Sequence, residues 1–237
     1  MTDSPITIAA IITARGGSKR LPGKNLELLH GRSLLSHSID AALQCKHIDL
    51  TCVTTDCDDI AQEATRCCAH VIRRPSELSD DDTSSYDTVI HALDKLEEQG
   101  RNFDYFALLQ PTSPLRTARH TTEAIELLLA YPESVSVVSV CTMEHSPYKA
   151  FLREGAFLTP LFAQETLNVP TQRLPIVFRQ NGAIYLMPVD RFRQGNSFFC
   201  EPVLPYQMTQ ESSMDVDTHL DLQIIRAISL SNGRGDK

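Results

Sequence analysis

With 237 residues, 42% of them hydrophobic and 22% charged, the chain has the size and composition of one soluble α/β domain, which excludes disorder, collagen and coiled coil as whole-chain descriptions. Its 22 basic and 30 acidic residues leave a net charge of −8, so a nucleic-acid partner is disfavoured and any phosphate ligand must be held by a local basic cluster. No apolar run reaches the ~18 residues of a membrane-spanning helix. Asp3 stands where a secretory signal would carry basic residues, so the expectation is a cytoplasmic protein without a membrane partner.

The elements alternate along the chain. Ile6–Thr13 is a continuous β-branched run, as in a strand buried on both faces. Ser33–Cys45 places Leu35, Ile39, Ala42 and Leu43 on one helical stripe. Leu50–Thr55 reads as a strand, Asp56–Cys67 as a helix opening with acids that suit its N-terminus, and Ala69–Ile72 as a short strand. Ser85–Gln99 is a helix stopped by Gly100, Asp104–Leu109 a strand, Thr117–Ala130 a helix and Ser134–Cys141 a strand. Strands separated by helices imply βαβ units, hence an α/β fold with a mostly parallel sheet covered by helices on both faces. From 145 to about 200 the rhythm breaks into turn signals and short strand-like pieces, as expected of an insertion on a single 1–237 domain. A strand at Ala183–Leu186, a helix at Leu220–Leu230 and a frayed tail, SNGRGDK, complete the reading. The seven cysteines, Cys45, Cys52, Cys57, Cys67, Cys68, Cys141 and Cys200, contain no CxxC pair and read as reduced, buried thiols.

The chemistry concentrates where the first strand ends. Between Arg15 and Lys24 there are four cations, three glycines and no acid. Glycines let the backbone turn its N–H groups toward an anion, and loops at strand carboxyl ends are where open parallel sheets bind ligands. The stretch is not a P-loop, because five residues separate Gly17 from Gly23 and Asn25 replaces the hydroxyl; G-x-G-x-x-G is also lacking. Near the other end, Asp215 and Asp217 are two apart, so in an extended segment they share a face while Val216 turns into the body. Two carboxylates about 4 Å apart repel by roughly 4 kcal/mol at an effective dielectric near 20, so they protonate, splay or bind a cation. Hard oxygen ligands favour Mg²⁺. The alternative is that Asp217 caps the last helix.

ARGGSKRLPGKN (14–25), RRPSELSDDDTSS (73–85), LLQPTSPLR (108–116), RQNGAIYL (179–186) and SMDVDTHLDL (213–222) together resemble, in order, the acylneuraminate cytidylyltransferases. LPGKN is also similar to the enzymes that activate the eight-carbon acid Kdo, whereas NGAIY and the insertion resemble the nonulosonic-acid group of sialic or legionaminic type. The resemblance implies a Rossmann-like nucleotidyltransferase fold. It also implies transfer of CMP from CTP to a nine-carbon 2-keto sugar acid in a homodimer. Arg15, Ser18 and Lys19 would hold the triphosphate, with Lys24 and Asn25 closing the loop; Arg15, Lys19 and Asp217 would be catalytic. Arg74 and Ser85 would contact the cytidine, with a plain N-cap as the alternative for Ser85. Glu77, Asp80, Asp81 and Asp82 read as a solvated loop. Gln110, Thr112, Lys149, Arg179 and Tyr185 would serve the sugar, and Asp215 and Asp217 would take Mg²⁺. Relatives carry an arginine two positions before Gln-x-Leu-Pro; here the arginine is displaced to Arg173. Phe198 and Phe199, beside Gly195, are expected to be exposed and lent across a dimer to the neighbour's sugar pocket, or else buried in the core. Two further readings are a non-catalytic nucleotide-sugar binding protein and a pyrophosphorylase acting on Kdo or pseudaminic acid.

Overall fold

The computed structural model describes residues 6–80, 83–131 and 136–232. In chain order these form β1 (Ile8–Thr13), β2 (Leu28–Leu29), β3 (Arg32–Ser33), α1 (Leu34–Leu43), β4 (Leu50–Thr55), α2 (Asp58–Arg66) and β5 (His70–Arg73). There follow α3 (Ser85–Glu98), β6 (Tyr105–Leu108), α4 (Ala118–Ala130), β7 (Ser136–Thr142), β8 (Phe151–Glu154) and β9 (Phe157–Pro160). The chain closes with β10 (Phe178–Pro188), α5 (Val189–Gly195), β11 (Val203–Gln207) and α6 (His219–Asn232). Asp81, Asp82, Ser134 and the tail from residue 233 lie outside the described residues.

Seven strands make one sheet in the order β11-β7-β10-β6-β1-β4-β5. All neighbours pair in parallel except β10, which runs antiparallel between β6 and β7. The alternation of β1 divides the core. Ile8, Ala10 and Ile12 face one cluster with Leu35 and Ile39 of α1, Ile60 of α2 and Ile125 of α4. Ala9 and Ile11 face the other, with Val89 and Leu93 of α3 and Phe192 of α5. Helices therefore cover both faces, which is why β1 is apolar throughout rather than alternating. A third cluster joins Leu21, Leu34, Val216, Leu222 and Ile225, and pins α6 and the segment before it beside the loop that follows β1.

Several expectations shift at their edges. Leu43 is 47% exposed at the end of α1 and leaves the inward stripe. The strand expected at Ala183–Leu186 spans Phe178–Pro188 and belongs to the main sheet, so what departs from the βαβ body is narrower than 145–200. Its first half is polar because those residues pair only with β7, and the register shifts between Gln180 and Tyr185 at the Asn-Gly-Ala segment. The β8–β9 hairpin and the short turns after it form an arm. All seven cysteines are free; Cys45, Cys52 and Cys141 are buried as expected, but Cys68 is exposed. Among the described residues no helix is long and apolar enough to cross a membrane.

Candidate active site

The chain runs outward from β1 to β4 and β5, then returns to β6 on the other side of β1. This reversal opens a crevice at the carboxyl ends of β1 and β6, the usual ligand position in such sheets. A cleft of about 390 Å³ fills it, lined by Thr13 and Arg15 after β1, Lys24 and Asn25, Arg74 after β5, Ser85 of α3, Gln110 and Thr112 after β6, and Asp215 and Asp217.

The loop after β1 is folded by its own polar groups. Gly16 N donates to Asp56 Oδ1 at 3.1 Å, and a Cβ on Gly16 would stand 2.9 Å from the Cys57 Cβ, too close for any larger residue. Arg15 Nη1 donates to Asp80 O at 3.2 Å, so Asp80 joins the cleft through its backbone. Asn25 Nδ2 donates to Arg15 O at 2.9 Å and closes the loop upon itself. Ser18 is half-buried and Lys19 exposed, and neither is among the lining residues.

Opposite, Arg74 is 8% exposed. Its Nη1 donates to Thr88 Oγ1 at 3.1 Å, its Nη2 makes an ion pair with Asp56 Oδ1 at 3.6 Å, and among the described residues its Nε has no hydrogen-bond partner. Burial pushes this guanidinium below its ordinary value, and Asp56 partly restores it. Buried donors left unpaired cost free energy unless a ligand meets them. Ser85 is not the cap of α3: Ser84 is, its Oγ accepting from Asp87 N at 3.1 Å. Ser85 lines the cleft without a capping duty.

The acid pair is seated by Val216, fully buried, whose N–H donates to Thr112 O at 2.8 Å. Asp215 is exposed yet lines the cleft, where neighbouring protein pushes its carboxyl above the usual range; Thr112 relieves this and the Asp217 charge adds to it. Asp217 accepts from Arg20 Nη1 at 2.8 Å and Lys24 Nζ at 3.1 Å. It is not the cap of α6, because Thr218 Oγ1 accepts from Asp221 N at 3.3 Å while Asp221 Oδ2 accepts from Thr218 N at 2.7 Å. Among the described residues no group of three or more His, Cys, Asp or Glu gathers as a metal site. The pair supplies two oxygen-donor groups at most and leaves the remaining positions of a cation to water or phosphate.

A crevice of this chemistry suits a nucleoside triphosphate, and the sequence profile described as Cytidylyltransferase matches residues 9–226. The chain belongs to the cytidylyltransferase family. It is similar to the CMP-N,N'-diacetyllegionaminic acid synthase of Legionella pneumophila, 36% identical over 216 residues that make up 90% of this chain and 92% of that protein. It is also similar to the N-acylneuraminate cytidylyltransferase of Escherichia coli, 33% identical over 96% of this chain and 53% of that protein, so the chain spans about half of the latter's length. Its fold matches that of a CMP:2-keto-3-deoxy-manno-octonic acid synthetase complexed with CTP, at a TM-score of 0.72 and 18% identity, covering 95% of this chain and 99% of that one.

In this cytidylyltransferase the remaining candidates fall outside the cleft lining. Lys149 Nζ donates to Leu167 O and, at 2.7 Å, to Val169 O, which holds the arm together. Arg173 and Arg179 are exposed on the arm and on the outer half of β10. Tyr185 is half-buried, its hydroxyl donating to Gln180 Oε1 at 3.3 Å, and burial together with the Asp215 charge raises its pKa. Phe198 packs at 5.0 Å from Phe192 and 5.5 Å from Tyr185, so it joins the core; Phe199 is 51% exposed. The expected exposure thus holds for one of the two aromatics only. Sequence reasoning missed Asp56, which ties Gly16 to Arg74. Its place at the carboxyl end of a parallel strand was the available signal.

Proposed function

We propose that the chain transfers CMP from CTP to a nonulosonic acid of sialic or legionaminic type, releasing pyrophosphate. The observation that carries this reading is the presence, in one cleft, of a buried guanidinium whose Nε has no hydrogen-bond partner among the described residues, together with two acids. Arg74, with Ser85 beside it, offers donors to the cytosine carbonyl and ribose. Arg15, Ser18, Lys19, Lys24 and Asn25 supply cations and donors for the triphosphate, and Gln110 and Thr112 orient the sugar. The anomeric hydroxyl attacks the α-phosphorus, the new P–O bond forms as the hydroxyl proton passes to water, and the bond to the β-phosphate breaks as pyrophosphate leaves. Positioning and charge neutralisation supply most of such a rate enhancement. The raised carboxyl of Asp215 next to Asp217 fits a divalent ion, and these two would hold Mg²⁺. When bound, Mg²⁺ neutralises charge on the α-phosphate. The pseudaminic acid cytidylyltransferase of Campylobacter jejuni is 26% identical over 92% of this chain, below the two relatives above, which favours the sialic or legionaminic acceptor. A homodimer of single-domain chains in the cytoplasm completes the reading, supported by the apolar arm.

The test is a pyrophosphate-release assay crossing CTP, ATP, GTP and UTP with sialic, legionaminic and pseudaminic acids and Kdo. CTP with sialic or legionaminic acid is expected to be the fastest pair. Release with Kdo or pseudaminic acid alone would reassign the acceptor, and CTP binding without release in any combination would leave a binding protein.

A further inference from the structure

Arg116 is 2% exposed, and among the described residues no carboxylate pairs with it. Burial alone pushes its guanidinium down to about 9. A cation without an anion in a core is costly, and this one is held by neutral oxygens from three elements. Its Nη1 donates to Gln110 O at 3.0 Å and to Ala183 O at 2.8 Å, and its Nη2 donates to Ser38 Oγ of α1 at 2.5 Å. Ser38 Oγ in turn donates to Gln110 O at 3.3 Å. The planar fork of arginine reaches all three partners at once, which a lysine ammonium cannot do from one stem.

The residue next to Ala183 completes the arrangement. Gly182 has φ +74°, and a Cβ there would stand 2.7 Å from Gln110 Oε1. The bulge of β10 therefore leaves room for the Gln110 amide, and Arg116 clamps that bulge and the Gln110 carbonyl with the same nitrogen. Both ends of Gln110 are set from behind the cleft wall.

We infer that Arg116 and Gly182 are positioning residues for Gln110, fixing its side chain in the cleft for the acceptor sugar. The inference rests on the placing of Gln110 at the sugar proposed above.

Initial rates with CTP and the acceptor separate the two. Gln110→Ala is expected to raise the acceptor KM about tenfold, the cost of about one hydrogen bond to a substrate, and to leave the CTP KM within about twofold. Arg116→Lys and Gly182→Ala are each expected to raise the acceptor KM about three- to tenfold, and to add less than about twofold when combined with Gln110→Ala. A merely structural role would lower the melting temperature and the active fraction but leave the acceptor KM alone. Should Arg116→Lys fail to fold, Ser38→Ala keeps the arginine while removing one of its partners, and is read with Gly182→Ala in the same way. Folded variants with the parental acceptor KM, or effects that multiply with Gln110→Ala, overturn the inference. If Gln110→Ala itself leaves the acceptor KM unchanged, the sugar reading of Gln110 fails and takes the inference with it.

Discussion

The cleft and the arm lack partners of opposite kinds. In the cleft, Arg74 is buried with its Nε unpaired among the described residues and Asp215 carries a raised carboxyl, so polar groups are short of company. In the arm, the one lysine is satisfied by two carbonyls, while Phe157 is 79%, Ile176 77% and Leu158 64% exposed, so apolar groups are short of cover. Unpaired buried donors call for a small polar ligand that enters and leaves. Apolar side chains standing together in water call for a protein surface. The two regions also divide the candidate residues, with Gln110, Thr112, Arg74 and the acids in the cleft and Lys149 and Arg173 in the arm.

The largest effect is expected at the cleft. Asp215→Asn keeps the shape and hydrogen bonding of the side chain but removes its charge, and turnover is expected to fall by about a hundredfold or more with the melting temperature unchanged or raised. The temperature rises because burial and Asp217 already disfavour the charged form. Parental turnover at saturating Mg²⁺ would break the assignment of this wall to the phosphates.

The arm should answer differently. Phe157→Asp with Leu158→Asp places two charges on the exposed hairpin, where the single chain has nothing to lose. A fold-preserving loss of self-association is expected, with the species at about 10 μM in sedimentation moving from dimer to monomer. Any fall in activity should follow the monomer fraction. A chain that is monomeric before mutation would detach the arm from assembly altogether.

How far the sequence reveals these regions depends on which signal each residue carries. The βαβ rhythm was legible because β1 and β6 are apolar runs and β4 is rich in β-branched residues, and the cation loop because its charge contrasts with an acidic chain. The outer half of β10 was not, since Phe178-Arg179-Gln180-Asn181-Gly182 shows neither apolar continuity nor strict alternation until the strand enters the sheet. The start of α3 at Ser85 was legible, but whether Ser85 or Asp217 was spent on capping was not, because adjacent capping types compete and geometry gives the caps to Ser84 and Thr218. Arg116 reads as a surface residue in any sequence, for nothing local announces that Ser38 and Ala183 will surround it. Residues that act through distant partners are legible last.

The smallest effect is expected where the molecule belongs to neither region. Glu63 of α2 accepts from Arg66 Nε at 2.7 Å and from Ser33 Oγ at 2.6 Å, and so ties α2 to the cap of α1. The Arg66 hydrogen bonds, opposed by burial and aided by the Ser33 hydroxyl, hold its carboxyl down from 4.5 to about 2. A folded value below the unfolded one means that the contribution to stability is complete above the ordinary glutamate value and is lost as pH falls through the window between 4.5 and about 2. Arg66 is 66% exposed, so solvent screens much of the pair and the contribution is about 1 kcal/mol rather than the full shift. Glu63→Gln is therefore expected to cost about 1 kcal/mol in urea unfolding near neutrality, with the gap from the parent narrowing between about pH 5 and about pH 3. Turnover and dimer content should not move. A gap that stays constant across that window would show that packing, not charge, holds this corner, and a change in turnover would mean that the cleft reaches further behind β1 than its lining residues do.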